Sequence, residues 1–437
     1  MWMWLVMMLL YLGGNFYIFW RLLQAIQWAP MGVRILFIVL FWLAAISLFV
    51  SFALRNTATL QSINRALFNI GSVWLVFVLY MVLTTALFDF AHLFLPSLQN
   101  GVWYALMITS ALMIYGYINY KMPREERITI DVDKPIDGGE YRMVAISDVH
   151  LGFGTTRSDL ARYVDIINSH NPDVVVIVGD LIDNSIEPVV RDGMLKEFER
   201  ITAKDGIYMV PGNHEYISGI DECMEHISSS RVHLLRDSVV KLSSGVQIIG
   251  RDDSFRLRRK PLDSLLMDAD TALPMVVLDH QPKSISESVE HGVDIHISGH
   301  THRGQVWPLN WITDAMYEQS HGYRRWGEMH VIVSSGLSLW GPPFRIVEEF
   351  RPCSFRINLR IERIYLVGAE CYCIFYVAIS VFEVKVNQIV GKSDFVNSLV
   401  KRVVNERYGE GIAVMSIFLD ILDIVGKLVY NVRGGVE

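Results

Sequence analysis

The stretch Val174-Val-Val-Ile-Val-Gly-Asp-Leu-Ile-Asp183 decides how this chain is read. Its run of Val and Ile has the pattern of a strand buried on both faces, as central strands of parallel sheets are. Gly179 ends the run, and Asp180 stands at the carboxyl end, the edge where open α/β sheets carry their reactive groups. The same event recurs along the chain. Met143-Val-Ala-Ile-Ser runs into Asp148-Val-His150, and Ile207-Tyr-Met-Val-Pro runs into Gly212-Asn-His-Glu215. Met275-Val-Val-Leu runs into Asp279-His280, and Val293-Asp-Ile-His-Ile-Ser runs into Gly299-His-Thr-His302. These strand ends deliver Asp, Asn and His, the hard and borderline donors for divalent metal ions.

Asp159–Ser169 and Val190–Lys204 have helical spacing between the strands, so residues 141–360 are expected to form an α/β sandwich. Asp180, directly after the central strand, is the expected bridge between two ions, about 3.5–4 Å apart in sites of this kind. Asp148 and His150 sit at i and i+2 where the chain turns, and His300 and His302 repeat that arrangement. Gly299 lets the backbone come close. Asn213 offers a neutral oxygen that leaves the ions electrophilic. Such ions lower the pKa of a bound water and hold phosphoryl oxygens. His214, beside a ligand, is the expected general acid, and Asp183 and Glu215 are expected to orient the imidazoles. Taken singly, each Asp is a turn residue and each His a satisfied core histidine. The five fragments in this order carry the signal.

That order resembles the calcineurin-like metallophosphoesterase superfamily. The matching forms are Ser147-Asp-Val-His-Leu-Gly152, Gly179-Asp-Leu-Ile-Asp183, Gly212-Asn-His-Glu215, Asp279-His-Gln-Pro282 and Ser298-Gly-His-Thr-His302. The resemblance implies a four-layer α/β/β/α sandwich and a dinuclear centre. One ion would take Asp148, His150, Asp180 and His302; the other would take Asp180, Asn213, His280 and His300. His214 matches the family's catalytic histidine. Gly304-Gln305 is similar to the membrane-anchored bacterial branch, although Arg303 stands where that branch often has glycine. Arg303 on the rim, and Arg251 in the basic run Arg251–Lys260, are the candidates for holding an anionic substrate or lipid headgroups, with a solvated surface loop the other reading of that run.

The chain has 437 residues, 51% of them hydrophobic, a net charge of -7 and a mean hydropathy of +0.30. The acidic balance gives no reason to expect a nucleic-acid partner. The apolar excess lies in Met1–Trp20, Val33–Leu54, Leu67–Leu95 and Val102–Tyr120, each about the 20 residues that cross a bilayer. Residues 1–120 are therefore expected to be a four-helix transmembrane region, with the first segment retained as an anchor. Trp20, Trp28, Trp103 and Tyr120 sit near segment ends, as interfacial aromatics do. Lys121, Arg124 and Arg127 after the last crossing favour a cytoplasmic catalytic domain, while Arg21 and Arg34 in the first loop weigh the other way. Asp89 and His92, on one face near the end of the third segment, are either interfacial or part of a transport path.

Residues 121–140 read as a charged linker with a short strand at Ile128–Val132. Ser354–Arg360 reads as the domain's last strand, and residues 361–437 as an extension of unknown role with an amphipathic helix at Ala413–Tyr430. Cys371-x-Cys373 is either a redox or metal pair or two unpaired thiols. Trp307, Trp311, Trp326 and Trp340 follow the last histidine motif and either line a lipid-facing entrance or pack a loop-rich edge.

The expected protein is a membrane-bound phosphoesterase at the cell membrane, using two divalent ions (Mn, Fe or Zn). A metal-bound hydroxide would attack a phosphodiester or pyrophosphate, with a lipid-linked substrate one option. The alternative is a non-catalytic membrane receptor or scaffold that retains a metal-binding fold.

Overall fold

The computed structural model describes residues 2–54, 60–96, 100–122, 124–255, 259–347 and 361–368. The expected last strand at 354–360, the Cys371/Cys373 pair and the 413–430 helix lie outside them.

Helices α1 (Trp2–Ala25), α2 (Met31–Leu54), α3 (Gln61–His92) and α4 (Gly101–Lys121) are each long and apolar enough to cross a membrane. They turn large apolar side chains outward, such as Leu10, Leu36, Leu43 and Ile114, which suits hydrocarbon and not water. Ile18, Phe41, Met81 and Ala105 pack between them. Several inward-facing polar groups pair with one another away from water. Ser51 Oγ donates to Asn64 Oδ1 (2.6 Å) and Trp74 Nε1 to Asn15 Oδ1 (2.9 Å). Asp89 accepts from Arg21 (2.5 Å) and from the Tyr17 hydroxyl (2.7 Å). That pairing and the exposure of His92 at the end of α3 place both residues at the bundle's edge.

The remainder contains β1 (Arg124–Ile130), β2 (Met143–Ile146), α5 (Arg157–Ser169), β3 (Val174–Val178), β4 (Ile207–Val210), β5 (Val232–Leu234), β6 (Ser238–Lys241) and β7 (Gln247–Gly250). It continues with β8 (Met275–Leu278), β9 (Ile295–Ser298), β10 (Gly322–Trp326), β11 (Met329–Val333) and β12 (Ile361–Gly368). One sheet runs β1-β12-β2-β3-β4-β5 and the other β10-β11-β9-β8-β7-β6. β2, β3 and β4 are mutually parallel, as are β7, β8, β9 and β11, so two sets of carboxyl ends are available for a site.

The period-2 rule divides each strand between two cores. Val174, Val176 and Val178 face the layer between the sheets, with Ile248, Val276 and Ile297 opposite. Val175 and Ile177 face α5 through Leu160, Val164 and Ile167. On the outer side of the second sheet, Met275 and Val277 meet Leu262 and Ile285. The result is the α/β/β/α sandwich expected from the sequence.

Three boundaries differ from the sequence reading. The charged stretch after α4 is not only a linker: β1 begins at Arg124 and pairs antiparallel with β12. β12 itself lies past residue 360 and inserts between β1 and β2, so the sheet draws on both sides of the 141–360 span. Val190–Lys204 is not one helix; a short helix Glu187–Arg191 and a 3₁₀ segment Met194–Arg200 meet at Gly193, which is left-handed at φ 59°.

The bundle and the sandwich are in contact. Val76 and Tyr80 of α3 pack with Val306, Phe344 and Ile346. Tyr80 Oη donates to the Trp307 carbonyl (2.9 Å), Asn119 Nδ2 to the Arg345 carbonyl (3.0 Å), and the Arg345 amide to the Gly116 carbonyl (2.9 Å).

Candidate metal centre

The centre is assembled where the parallel strands end. Asp148 and His150 follow β2, Asp180 follows β3, Asn213 follows β4, His280 follows β8, and His300 and His302 follow β9. Asp148, His150, Asp180, His300 and His302 have φ between 47° and 71°, a left-handed conformation that ordinary residues avoid. It holds because the loops are tied to one another. The amides of Asp148 and His150 donate to the carbonyls of Gly179 and Asp180, both at 3.0 Å. The His300 amide donates to Asp148 Oδ1 (3.0 Å) and the His214 amide to Asp180 Oδ1 (2.9 Å). The buried Glu215 carboxylate accepts from the amides of Asp180 (3.1 Å), Ile182 (2.9 Å) and Gly212 (2.7 Å). Glu215 thus clasps the β3 and β4 loops; the expectation that it orients imidazoles is replaced by a grip on backbone.

Donor atoms from these loops converge on two principal clusters, Asp148–His150–His302 and Asp180–His280–His300, and His150 also belongs to a third group with Asp183 and His214. In the first, His150 Nε2 and His302 Nε2 are 3.1 Å apart, and Asp148 Oδ1 is 3.5 Å from His302 Nε2. Asp180 Oδ2 reaches toward both clusters, 3.9 Å from His150 Nε2 and 3.0 Å from His280 Nε2. His280 Nδ1 lies 2.8 Å from the Val178 carbonyl and so donates to it, which leaves a lone pair on the Nε2 of the neutral ring. His280 Nε2 and Asn213 Oδ1 are buried without a hydrogen-bond partner. Carboxylate, amide and imidazole groups gathered in a buried space form a donor set that fits divalent ions.

Against burial, Asp180 and Asp148 hold the His280 pKa well above its usual range, so a cation taken up at its Nε2 would displace a proton. Burial opposes charge on Asp180, but the neighbouring His280, His214 and His150 hold its carboxyl well below the usual range. Burial, with the repulsion of Asp180 added, keeps Asp148 above it. Burial and the charge of His280 push His300 down to about 3, which keeps the imidazole neutral, as a ligand must be.

His214 and Asp183 stand beside the clusters. Asp183 Oδ1 lies near both rings, 3.6 Å from His150 Nδ1 and 3.4 Å from His214 Nδ1. His214 Nδ1 also lies 3.2 Å from the Asp183 carbonyl, which leaves Nε2 for proton transfer. Burial works against a charged His214 ring, but Asp183 and Asp180 more than offset it and push its pKa up to about 9.

Arg251 is the sequence expectation that fails. It is 2% exposed, with its guanidinium 2.6 Å from Glu287 and 3.5 Å from Asp279. Arg259 holds both oxygens of Asp279 at 2.9 Å. These arginines neutralise a buried carboxylate behind His280 and do not face a substrate. Arg303, left-handed at φ 51°, follows His302 at the partly exposed rim. Trp340, one of the tryptophans noted after the last histidine motif, has its ring 6.0 Å from His214, while two further neighbours carry no signal in the sequence: Tyr317, 5.9 Å from His300, and Arg345. Arg345 is buried and donates to the Gly336 carbonyl (3.0 Å) on the loop against His302.

Gly179 is at φ 78°, and a Cβ there would lie 2.4 Å from His280 Nδ1. Gly179→Ala is expected to displace His280, costing about 1–3 kcal/mol of stability and lowering bound metal. Thermal unfolding and metal analysis of the purified variant check both.

A two-sheet sandwich with Asp, Asn and His gathered at its strand ends is the architecture of a metal-dependent phosphoesterase. A sequence profile described as calcineurin-like phosphoesterase matches residues 141–304. A Helicobacter pylori (strain J99) protein called an uncharacterized metallophosphoesterase is 32% identical over 267 residues, 58% of this chain and 70% of the relative. A Danio rerio transmembrane protein with metallophosphoesterase domain is 31% identical over 56% of this chain and 60% of its own length. Among solved structures, a 5'-nucleotidase precursor from Thermus thermophilus aligns with a TM-score of 0.32 and 14% identity, over 57% of this chain and 59% of that one. The chain belongs to the calcineurin-like phosphoesterase family and is a metal-dependent phosphoesterase.

Proposed function

We propose that the chain hydrolyses a phosphodiester or pyrophosphate bond of a substrate at the membrane surface, a lipid-linked one foremost. Asp148, His150, Asp180 and His302 would hold one divalent ion, and Asp180, Asn213, His280 and His300 a second. Two such ions supply an activated water and charge stabilisation for the phosphoryl oxygens. The observation that carries the reading is the pair of carboxylate and imidazole clusters toward both of which Asp180 Oδ2 reaches, with the His214 amide on its other oxygen. His214, its Nδ1 engaged by Asp183, delivers a proton from Nε2 to the departing oxygen. A polar cleft lined by Asn184, Ser185, Tyr216 and Ser218 lies beyond the Asp183 loop, whose carbonyl accepts from Ser218 Oγ (2.7 Å).

Two features support a substrate at the membrane. The chain carries four helices fit to span a bilayer. The loop that leaves His302 ends against them, where Tyr80 holds Trp307. The basic residues after α4 favour a cytoplasmic catalytic domain.

The test uses the full chain in lipid nanodiscs with Mn²⁺. Expected are about two metal ions per chain, hydrolysis of bis(p-nitrophenyl) phosphate, and the disappearance of one phosphoester when a lipid and nucleotide extract is supplied. Bound metal without turnover on any phosphoester would overturn the reaction. Consumption of only water-soluble esters would overturn the lipid link alone.

A further inference from the structure

The aromatic cluster after His302 is not explained by the metal centre. Trp307 is followed by the helix Leu309–Met316, whose side chains remain largely uncovered among the described residues. Leu309 is 38% exposed, Trp311 43%, Ile312 55% and Met316 67%. Leu309, Ile312 and Met316 form one stripe at helical spacing. Its single charged residue, Asp314, is hydrogen-bonded by Ser320.

The level of this segment against the bundle can be measured along two helices. Trp307 is fixed to Tyr80 of α3. Asp89, paired with Arg21 and part exposed, belongs at the headgroups of the far side. Nine residues of helix separate Tyr80 from Asp89, about 14 Å at 1.5 Å per residue. The hydrocarbon core is about 30 Å thick, so Tyr80 stands near its middle. The second measure is independent of Asp89. Gly71 of α3 lies against Leu48 of α2, and Asn64 against Ser51, so the two helices run antiparallel. Tyr80 is then level with about Val39, near the middle of α2 (Met31–Leu54).

We infer that the catalytic domain itself is seated in the membrane: residues 306–316 enter the near leaflet beside α3 and α4, with the Leu309–Ile312–Met316 stripe against lipid acyl chains. The occupant follows from continuity. Val306 packs with Val76 and Tyr80 in one apolar cluster, and the exposed stripe prolongs the lipid-facing surface of the bundle. The embedded segment is joined to the metal centre at both ends, by His302 before it and by Tyr317, whose ring faces His300, after it. The centre is thereby held close to the headgroups of the near leaflet. This inference rests on α1–α4 crossing a bilayer and deepens the proposed function by bringing the site to the lipid phosphate layer.

The test is nitroxide accessibility in the full chain, reconstituted in phosphatidylcholine–phosphatidylglycerol nanodiscs. Cys353, Cys371 and Cys373 are replaced by alanine, and the buried Cys223 is kept. Labels go on Ile312→Cys and Met316→Cys, with Leu43→Cys on α2 as the lipid control and Met267→Cys, 86% exposed on the sandwich, as the water control. Expected at 312 and 316 are frequent collisions with oxygen and rare ones with an aqueous nickel chelate, as at 43. Frequent nickel collisions, as at 267, would overturn the inference. Exclusion of both reagents would also overturn it, since the stripe would then be covered by protein, either a second copy or residues 413–430. Hydrolysis of bis(p-nitrophenyl) phosphate by the same labelled proteins reports separately on catalysis, so a failure of membrane seating and a failure of the phosphoesterase reading give different results.

Discussion

Asp180→Asn is expected to lower turnover of any phosphoester by more than about 100-fold, because changing residues that merely orient metal ligands already costs about 10–100-fold. Asp180 is the one carboxylate that reaches toward both clusters, 3.0 Å from His280 Nε2 and 3.9 Å from His150 Nε2. Its other oxygen accepts the His214 amide at 2.9 Å. Asparagine keeps the shape and can still accept that amide. It removes the negative charge between two cations, however, and turns an NH₂ group toward a lone pair on His280 or His150. Metal affinity should fall with activity, and metal analysis beside the kinetics separates an empty centre from a filled but inactive one. A variant with full metal content and full turnover would remove Asp180 from the centre and the two-ion reading with it.

The strands that carry this centre were legible because buried parallel strands are written as unbroken β-branched runs. Val174–Val178 and Met275–Leu278 need no partner to be recognised. Their ends were legible because Asp, Asn and His follow such runs five times in one order, although each taken singly reads as a turn or core residue. The sheet edges were not legible. β1 reads only in part: a short strand is legible from Ile128, but the charged Arg124–Arg127 reads as linker, and its pairing with β12, far along the chain, extends the strand over it. Arg251 misled in the same way: in a run of basic residues it resembles a solvated loop, and its counter-charges, Asp279 and Glu287, come from other elements. Glu215 was found by its motif but given the wrong partners, because the motif does not say that three amides from two loops will converge on it. The contact of Trp307 and Arg345 with the bundle depends on tertiary packing, which no local pattern records.

His214→Ala should separate substrates by their leaving groups. For an alkyl diester, whose alkoxide cannot depart unprotonated near neutral pH, loss of a positioned acid is expected to cost about 10²–10⁴-fold in kcat. For bis(p-nitrophenyl) phosphate, whose phenolate departs readily, the loss should stay within about 10-fold. Metal content should change little, since His214 Nδ1 is engaged by the Asp183 carbonyl and the ring groups with His150 and Asp183, apart from Asp148 and Asp180. The ring is built to hold a proton: Asp183 and Asp180 raise its pKa to about 9 against the effect of burial. Cations bound at Asp180 would lower that value again and bring it toward the working pH, where a proton donor is most effective. Equal losses on both esters with metal retained would make His214 a binding or positioning group, and the acid would then have to be sought among the other side chains at the rim.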